Sequence, residues 1–185
     1  MMLTRLRPKH SDVILKQLYA EPHDHRKYGK GHGERVNSMI TLAAKFEPYN
    51  TAADLSCGNS YVMDQIDIGK RIRGDFAPGY KYTGPIEETI KEIELVDLFI
   101  LGETLEHLDT PITVLKSIRD KTKYLLMSTP YDNWDDSCKE HYWAWDWSDV
   151  KSMLDIANFT TLHAFETIDS RVYGESYCYG IWLVS

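Results

Sequence analysis

Leu95-Val96-Asp97-Leu98-Phe99-Ile100-Leu101-Gly102-Glu103-Thr104-Leu105-Glu106-His107 opens on an apolar run and closes on two glutamates and a histidine. A run broken only by Asp97 reads as a strand covered on both faces, the mark of a parallel sheet under helices. Working outward, Thr110-Pro111 opens a helix with proline at its favoured first position. Lys123–Ser128 is a further buried strand ending at Thr129-Pro130. Upstream, Thr51–Leu55 is a short apolar strand that enters the tight turn Ser56-Cys57-Gly58-Asn59-Ser60, with a brief helix over 61–66. Arg71–Asp75 and Tyr80–Thr83 are weaker strands, and 87–93 is a helix. Ser148 caps a helix to about Ala157. The runs Thr160–Ile168 and Tyr177–Val184 are joined by a link too short for a helical crossover, so they pair as an antiparallel hairpin. β-α alternation of this kind predicts an α/β fold: a three-layer, doubly wound, mostly parallel sheet with a C-terminal antiparallel hairpin, in a compact version with short helices.

The N-terminal part reads differently. A short helix spans 12–20 behind Ser11 or Asp12. Residues 21–33 are polar and rich in Gly and His, so a loop is expected there. From Glu34 to about Phe46 apolar residues recur at helical spacing. The expected organisation is 1–48 as N-terminal helices with a basic lid loop, and 49–185 as one Rossmann-like unit.

Composition narrows the function classes. The 185 residues are 43% hydrophobic with a formal net charge of −7. Residues 1–45 carry net +5 and the remainder net −12. An acidic body argues against a long nucleic-acid groove, since such binding draws on phosphate neutralisation. No run approaches the ~20 apolar residues of a membrane helix. The N-terminus lacks a secretory stretch, and the three cysteines (Cys57, Cys138, Cys178) have no CxxC spacing, so a reducing, cytoplasmic setting is expected. His23, His25 and His32 fall within ten residues, but without carboxylate–His spacing no metal is expected.

In an open α/β sheet, ligands sit beyond the carboxyl ends of the strands. Three such ends carry candidate residues. The turn after Asp54 consists of small residues that let backbone approach a ligand. Asp75, twenty-one residues on, ends the next strand, where an acid accepts the hydroxyls of a ribose. Gly102–His107 follows the strongest strand. The aromatics Tyr142, Trp143, Trp145 and Trp147 either wall a substrate pocket or cap the core.

In these segments the chain resembles the class I S-adenosylmethionine-dependent methyltransferases, in particular the small-molecule group with a Leu-Glu-His fourth-strand motif. Residues 51–60 are similar to the family's first motif, Asp75 stands at its ribose acid, Thr83–Thr89 is similar to the third motif, and Val96–Leu108 closely matches the fourth. His141 with the helix and Asn158-Phe159 behind it is similar to the closing pattern. The resemblance covers about residues 50–185. It implies S-adenosyl-L-methionine as cofactor, S-adenosyl-L-homocysteine as product, and a small-molecule acceptor methylated at O or N. It implies cofactor contacts by Asp54, Ser56, Cys57, Gly58, Ser60, Asp75, Pro85, Ile86, Gly102 and Glu103. A lid over the cofactor would bring Tyr28, His32 or Arg35 to the methionine carboxylate. His107 and His141 are the candidate bases. Each also has a structural reading, tying a loop to the body. Four residues depart from the motifs, one of them Asn158, which stands where the closing pattern has glycine. Ser56 and Ser60 replace glycines, and a serine forced to positive φ costs on the order of 1 kcal/mol. Pro85 replaces the acid beside adenine. The two serines and Pro85 favour a non-catalytic module that binds the cofactor or its product and acts through a partner protein, whereas the intact Asp54, Asp75 and Glu103–His107 segment favours the enzyme. A nicotinamide-dependent reductase is disfavoured because GxGxxG is absent.

Overall fold

In a computed structural model, residues 3–24, 30–172 and 175–185 are described, without the side chains of 30, 31, 167–172 and 175–177. The chain runs β1 (Thr4–Arg5), α1 (Asp12–Leu18), α2 (Lys30–Ala43), β2 (Tyr49–Asp54), α3 (Tyr61–Asp64), β3 (Ile68–Asp75), β4 (Tyr82–Thr83), α4 (Ile86–Thr89), β5 (Val96–Gly102), α5 (Pro111–Arg119), β6 (Thr122–Tyr131), β7 (Trp143–Ala144), α6 (Trp147–Ile156), β8 (Thr161–Val172) and β9 (Glu175–Val184). Short 3-10 turns cover Ala44–Phe46, Ile90–Glu92 and Leu105–His107.

Seven strands form one sheet in the order β4-β3-β2-β5-β6-β9-β8. The first five are parallel, and β9 and β8 close the sheet antiparallel. The strand at its centre is β5, and its neighbours along the chain point to opposite faces. Phe99 and Leu101 join a core with Val114, Leu115 and Ile118 of α5 and Val150, Met153 and Leu154 of α6. Leu98 and Ile100 join a second core with Met39, Leu42 and Ala43 of α2 and Met63 of α3. Two cores on two faces of one sheet make the three layers expected. Burying each such side chain contributes about 1.5–3 kcal/mol relative to leaving it exposed, before the cost of ordering it.

Several boundaries differ from the sequence expectation. Helix α2 begins at Lys30, inside the stretch read as loop. Gly31 and Gly33 argued against a helix locally, but Arg35 and Val36 are buried against the body, and packing overrides propensity. The cap of α6 is Asp146, not Ser148: its side chain accepts from Asp149 N–H at 2.8 Å and the Asp149 carboxylate returns the bond, a capping box. Strand β6 continues through Pro130 to Tyr131. On the β5 side its pairing ends at Gly102–Ser128, while β9 pairs it as far as Cys178. Past Ser128 it has a neighbour on one side only, where proline is tolerated. The aromatic loop holds β7, which pairs with β1 and pins the N-terminus to the loop after β6.

Candidate active site

Strands β2, β3, β5 and β6 all end on the same side of the sheet, and a cavity of about 480 Å³ opens there. That lies within the ~300–1,000 Å³ typical of small-molecule sites. Its lining includes Ser56, Gly58, Asp75, Pro85, Ile86, Glu103, His107 and His141 of the residues singled out above. Arg35, Asp54, Cys57 and Gly102 surround a smaller cavity of about 30 Å³, which shares Ser56 with the first. Ser60 is buried within the turn itself. Tyr28 lies outside the described residues.

The turn after β2 is closely built. Gly58 takes φ +51, and a Cβ there would lie 2.3 Å from the His23 carbonyl oxygen. That carbonyl accepts from Asn59 N–H at 2.9 Å, so the segment before α2 is seated on the turn. Tyr80 Oη donates to the Gly58 carbonyl at 2.6 Å. Of the two serines in glycine positions only Ser60 is left-handed, at φ +64; Ser56 is not. Ser60 Oγ accepts from Arg73 Nε at 2.7 Å, a bond glycine could not make. The Ser56 hydroxyl lies 2.8 Å from that of Thr104, joining this turn to the one after β5.

Asp75 reaches back to the same turn. Its carboxylate accepts from Gly58 N–H at 2.7 Å and from Ala77 N–H at 2.8 Å. Burial raises its pKa, opposed by these N–H bonds. Asp54 is more deeply placed: burial, helped by the Asp75 charge and opposed by the Ser56 N–H, pushes it up to about 7 from 3.8. A raised folded-state pKa gives stability that is present below the unfolded value and lost as pH climbs to the folded one. Asp54→Asn keeps the acceptor oxygen for Ser56 but cannot ionise. Between pH 5 and 7 the variant should therefore gain on wild type by about 1.4 kcal/mol per pH unit, seen in urea melts at each pH. Parallel curves would refute the buried titration.

Beside the turns sits a buried polar cluster. Glu103, at φ +50, accepts from Ser128 Oγ at 3.0 Å, and Arg35 Nε is 3.8 Å away. Arg35 Nη1 donates to the same Ser128 Oγ at 2.8 Å. Glu106 accepts from Thr129 Oγ1 at 3.0 Å. Burial and the neighbouring Glu103 charge push Glu106 up to about 8. Burial pulls His141 down, but its hydrogen bonds to Asp136 and Cys138 and the Glu106 charge outweigh that and hold it well above 6.5. The rings of His107 and His141 meet edge to face, centroids 4.7 Å apart. Adjacent residues of a helical turn point in different directions, yet across the turn of residues 105–107 the Glu106 Oε1 lies 3.8 Å from His107 Nε2.

Sequence reasoning missed Tyr19, Phe76, Glu87, Thr104 and Cys138 in the cavity lining. Tyr19 caps the end of α1, Glu87 lies in the single-turn helix α4, and the other three lie in loops and turns, where no periodic signal marks them. The four aromatics of the 142–147 loop do not line it. Tyr142 and Trp145 are buried at 1% exposure, and Trp143 and Trp145 donate their indole N–H groups to the Leu108 and Pro130 carbonyls, so they cap the core.

No protein-family model matches the chain, and no curated protein matches it in sequence. Solved structures share its fold at low identity. The N-methyltransferase NodS from Bradyrhizobium japonicum, crystallised with S-adenosylhomocysteine, aligns over 84% of this chain and 88% of its own with a TM-score of 0.61 at 11% identity. The Burkholderia thailandensis 1,6-didemethyltoxoflavin-N1-methyltransferase, with its acceptor and S-adenosylhomocysteine bound, aligns over 98% and 93% with a TM-score of 0.64 at 12% identity. The small RNA methyltransferase HEN1 gives 0.65 at 16% identity over 83% of this chain and 25% of its own. The chain has the class I methyltransferase fold. No helix among the described residues is long and apolar enough to cross a membrane.

Proposed function

We propose that this chain is an S-adenosylmethionine-dependent methyltransferase that methylates O or N of a small-molecule acceptor in the cytoplasm. The observation that carries the reading is the Asp75 carboxylate, bonded at 2.7 Å to Gly58 N–H on the wall of a ligand-sized cavity. A carboxylate offers about four lone-pair positions. Two take the Gly58 and Ala77 N–H groups, so two are left for the vicinal hydroxyls of a ribose. Ser56 and Gly58 would border the rest of the nucleoside, and Pro85 and Ile86 its base. Glu87, also in the lining, supplies a carboxylate close to where Pro85 displaced the family's acid. His32 and Arg35 lie in α2 of the N-terminal 1–48 segment, whose basic Gly/His-rich loop we read as the lid over the cofactor. When bound, the sulfonium supplies an already activated methyl group, so the protein's task is alignment. A base is needed only if the acceptor must lose a proton, and His107 and His141 line the cavity for it, His141 only once it has given up the proton its partners hold on it.

The test is the thermal midpoint of unfolding with S-adenosylmethionine, S-adenosylhomocysteine or NAD at millimolar concentration. A ligand at 100 times its Kd stabilises by about 2.7 kcal/mol. Both sulfur nucleotides should raise the midpoint by several degrees and NAD should not. A rise with NAD alone would overturn the assignment, and flat traces with both sulfur nucleotides would remove it.

A further inference from the structure

Glu106, His107 and His141 bring one potential ligand atom each within 4.8 Å of one another, and the two histidines line the cavity. We propose that these three side chains bind a divalent first-row transition cation in the cavity wall. The Glu106 side chain is 1% exposed. One of its oxygens takes the Thr129 hydroxyl, and Oε1 has no hydrogen-bond donor among the described residues. A buried carboxylate oxygen left so is costly, and the group either keeps a proton or meets a positive partner.

The imidazoles are held as ligands are held. His107 Nδ1 is 2.9 Å from the Glu140 carbonyl oxygen, and His141 Nδ1 is 2.6 Å from Asp136 Oδ2. Carbonyl and carboxylate oxygens only accept, so each ring donates through Nδ1, and Nε2 is the nitrogen that coordinates. Outer partners of this type fix ring orientation in metal sites. His107 Nε2 and Glu106 Oε1 are 3.8 Å apart. Two ligands at ~2.1 Å from one ion are roughly 3–4 Å apart, so an ion fits between them with little movement. Two imidazoles and one carboxylate favour zinc, manganese, iron or cobalt over magnesium and calcium. Asp136 and Cys138 also meet His141 within 4.8 Å, but with Nδ1 donating to Asp136 Oδ2 the ring has no lone pair on that side, so Asp136 orients His141 and does not share an ion with it.

Chain spacing carries no sign of this cluster, because Glu106 and His141 are far apart in the sequence, and the expectation was of no metal. The site's role, though not its existence, rests on the cavity being the methyl-transfer cleft. Three protein ligands leave further positions for water or an acceptor oxygen. His107 and His141 then orient the acceptor through the ion instead of acting as bases. The sheet order sets β5, which runs into the turn of Glu106 and His107, two strands from β3, which carries Asp75, so the two strands are roughly 10 Å apart. The ion therefore lies well away from the ribose acid.

The experiment titrates the chelator-treated full chain with Co²⁺, followed by visible absorption and calorimetry, with S-adenosylhomocysteine titrated in parallel. Wild type should take up one Co²⁺ with Kd of about 10 μM or tighter. Glu106→Gln and His141→Asn should weaken it at least ~30-fold, and Asp136→Asn about 10-fold through the orientation of His141. Cys138→Ser keeps a hydrogen-bonding group beside His141 and should leave the affinity within about threefold of wild type. Glu106→Gln is near-isosteric and carries the test if His141→Asn fails to fold. Absent stoichiometric uptake by wild type, unchanged affinity in Glu106→Gln, or a near-ultraviolet sulfur-to-cobalt band that disappears in Cys138→Ser would each overturn the site. S-adenosylhomocysteine affinity should be the same in wild type and Glu106→Gln. If wild type binds Co²⁺ but not the nucleotide, the cation site stands and the methyltransferase reading falls.

Discussion

Replacing Asp75 by asparagine should lower affinity for S-adenosylhomocysteine at least about 100-fold, or some 2.7 kcal/mol. In the folded chain both carboxylate oxygens already accept backbone N–H groups, from Gly58 at 2.7 Å and Ala77 at 2.8 Å. An asparagine has one acceptor oxygen and one NH2. Whichever way it turns, a donor faces one of those N–H groups, and an unmet buried donor costs about 1–3 kcal/mol. The ribose loses as well, because two hydroxyls that would donate to a carboxylate meet an amide. Hydrogen bonds to a charged group are each worth about 1.5–3 kcal/mol, so losing them accounts for the expected drop without any change of fold. Isothermal titration with S-adenosylhomocysteine, at a temperature where circular dichroism shows the variant folded, reads the effect. Binding within threefold of wild type would show that Asp75 only ties the turn together.

Asp75 was legible in the sequence because it ends a strand at a fixed distance from Asp54, and two parallel neighbours must end side by side. Strand β5 was legible for a related reason: five of its seven residues are almost fully buried, so neither face needed polar residues. The hairpin of β8 and β9 followed from the length of its link. What escaped had no periodic signal. Strands β1 and β7 are two residues each, too short to alternate, and only their pairing defines them. The start of α2 is set by burial of Arg35 against Ser128, a partner 93 residues away. The convergence of Glu106, His107 and His141 brings together the turn after β5 and a loop after β6 held down by Tyr142 N–H donating to the Glu106 carbonyl at 2.8 Å. Neither the turn type nor that tie is written in local residue preference.

Gly58→Ala is the second large expectation: a loss of S-adenosylhomocysteine affinity of more than about 10-fold, with a lower melting point. The left-handed φ of +51 alone costs a non-glycine residue on the order of 1 kcal/mol. That much the fold tolerates at Ser60, where φ is +64 and Arg73 bonds the hydroxyl in return. At Gly58 there is a second cost. The new Cβ would stand 2.3 Å from the His23 carbonyl oxygen, which is backbone and is held by Asn59 N–H. Either the segment before α2 lifts away, taking His23 out of the cavity wall, or the turn itself shifts and carries the Gly58 N–H off Asp75. Both outcomes disturb the surface a nucleoside would lie on. Tyr80→Phe separates this from a merely weakened turn. It deletes the hydrogen bond to the Gly58 carbonyl, worth about 1 kcal/mol, and leaves the turn's path unchanged. Titrations of the two variants should therefore differ clearly, with Tyr80→Phe close to wild type. If Gly58→Ala binds as Tyr80→Phe does, the close seating of the N-terminal segment on the turn contributes nothing to the site.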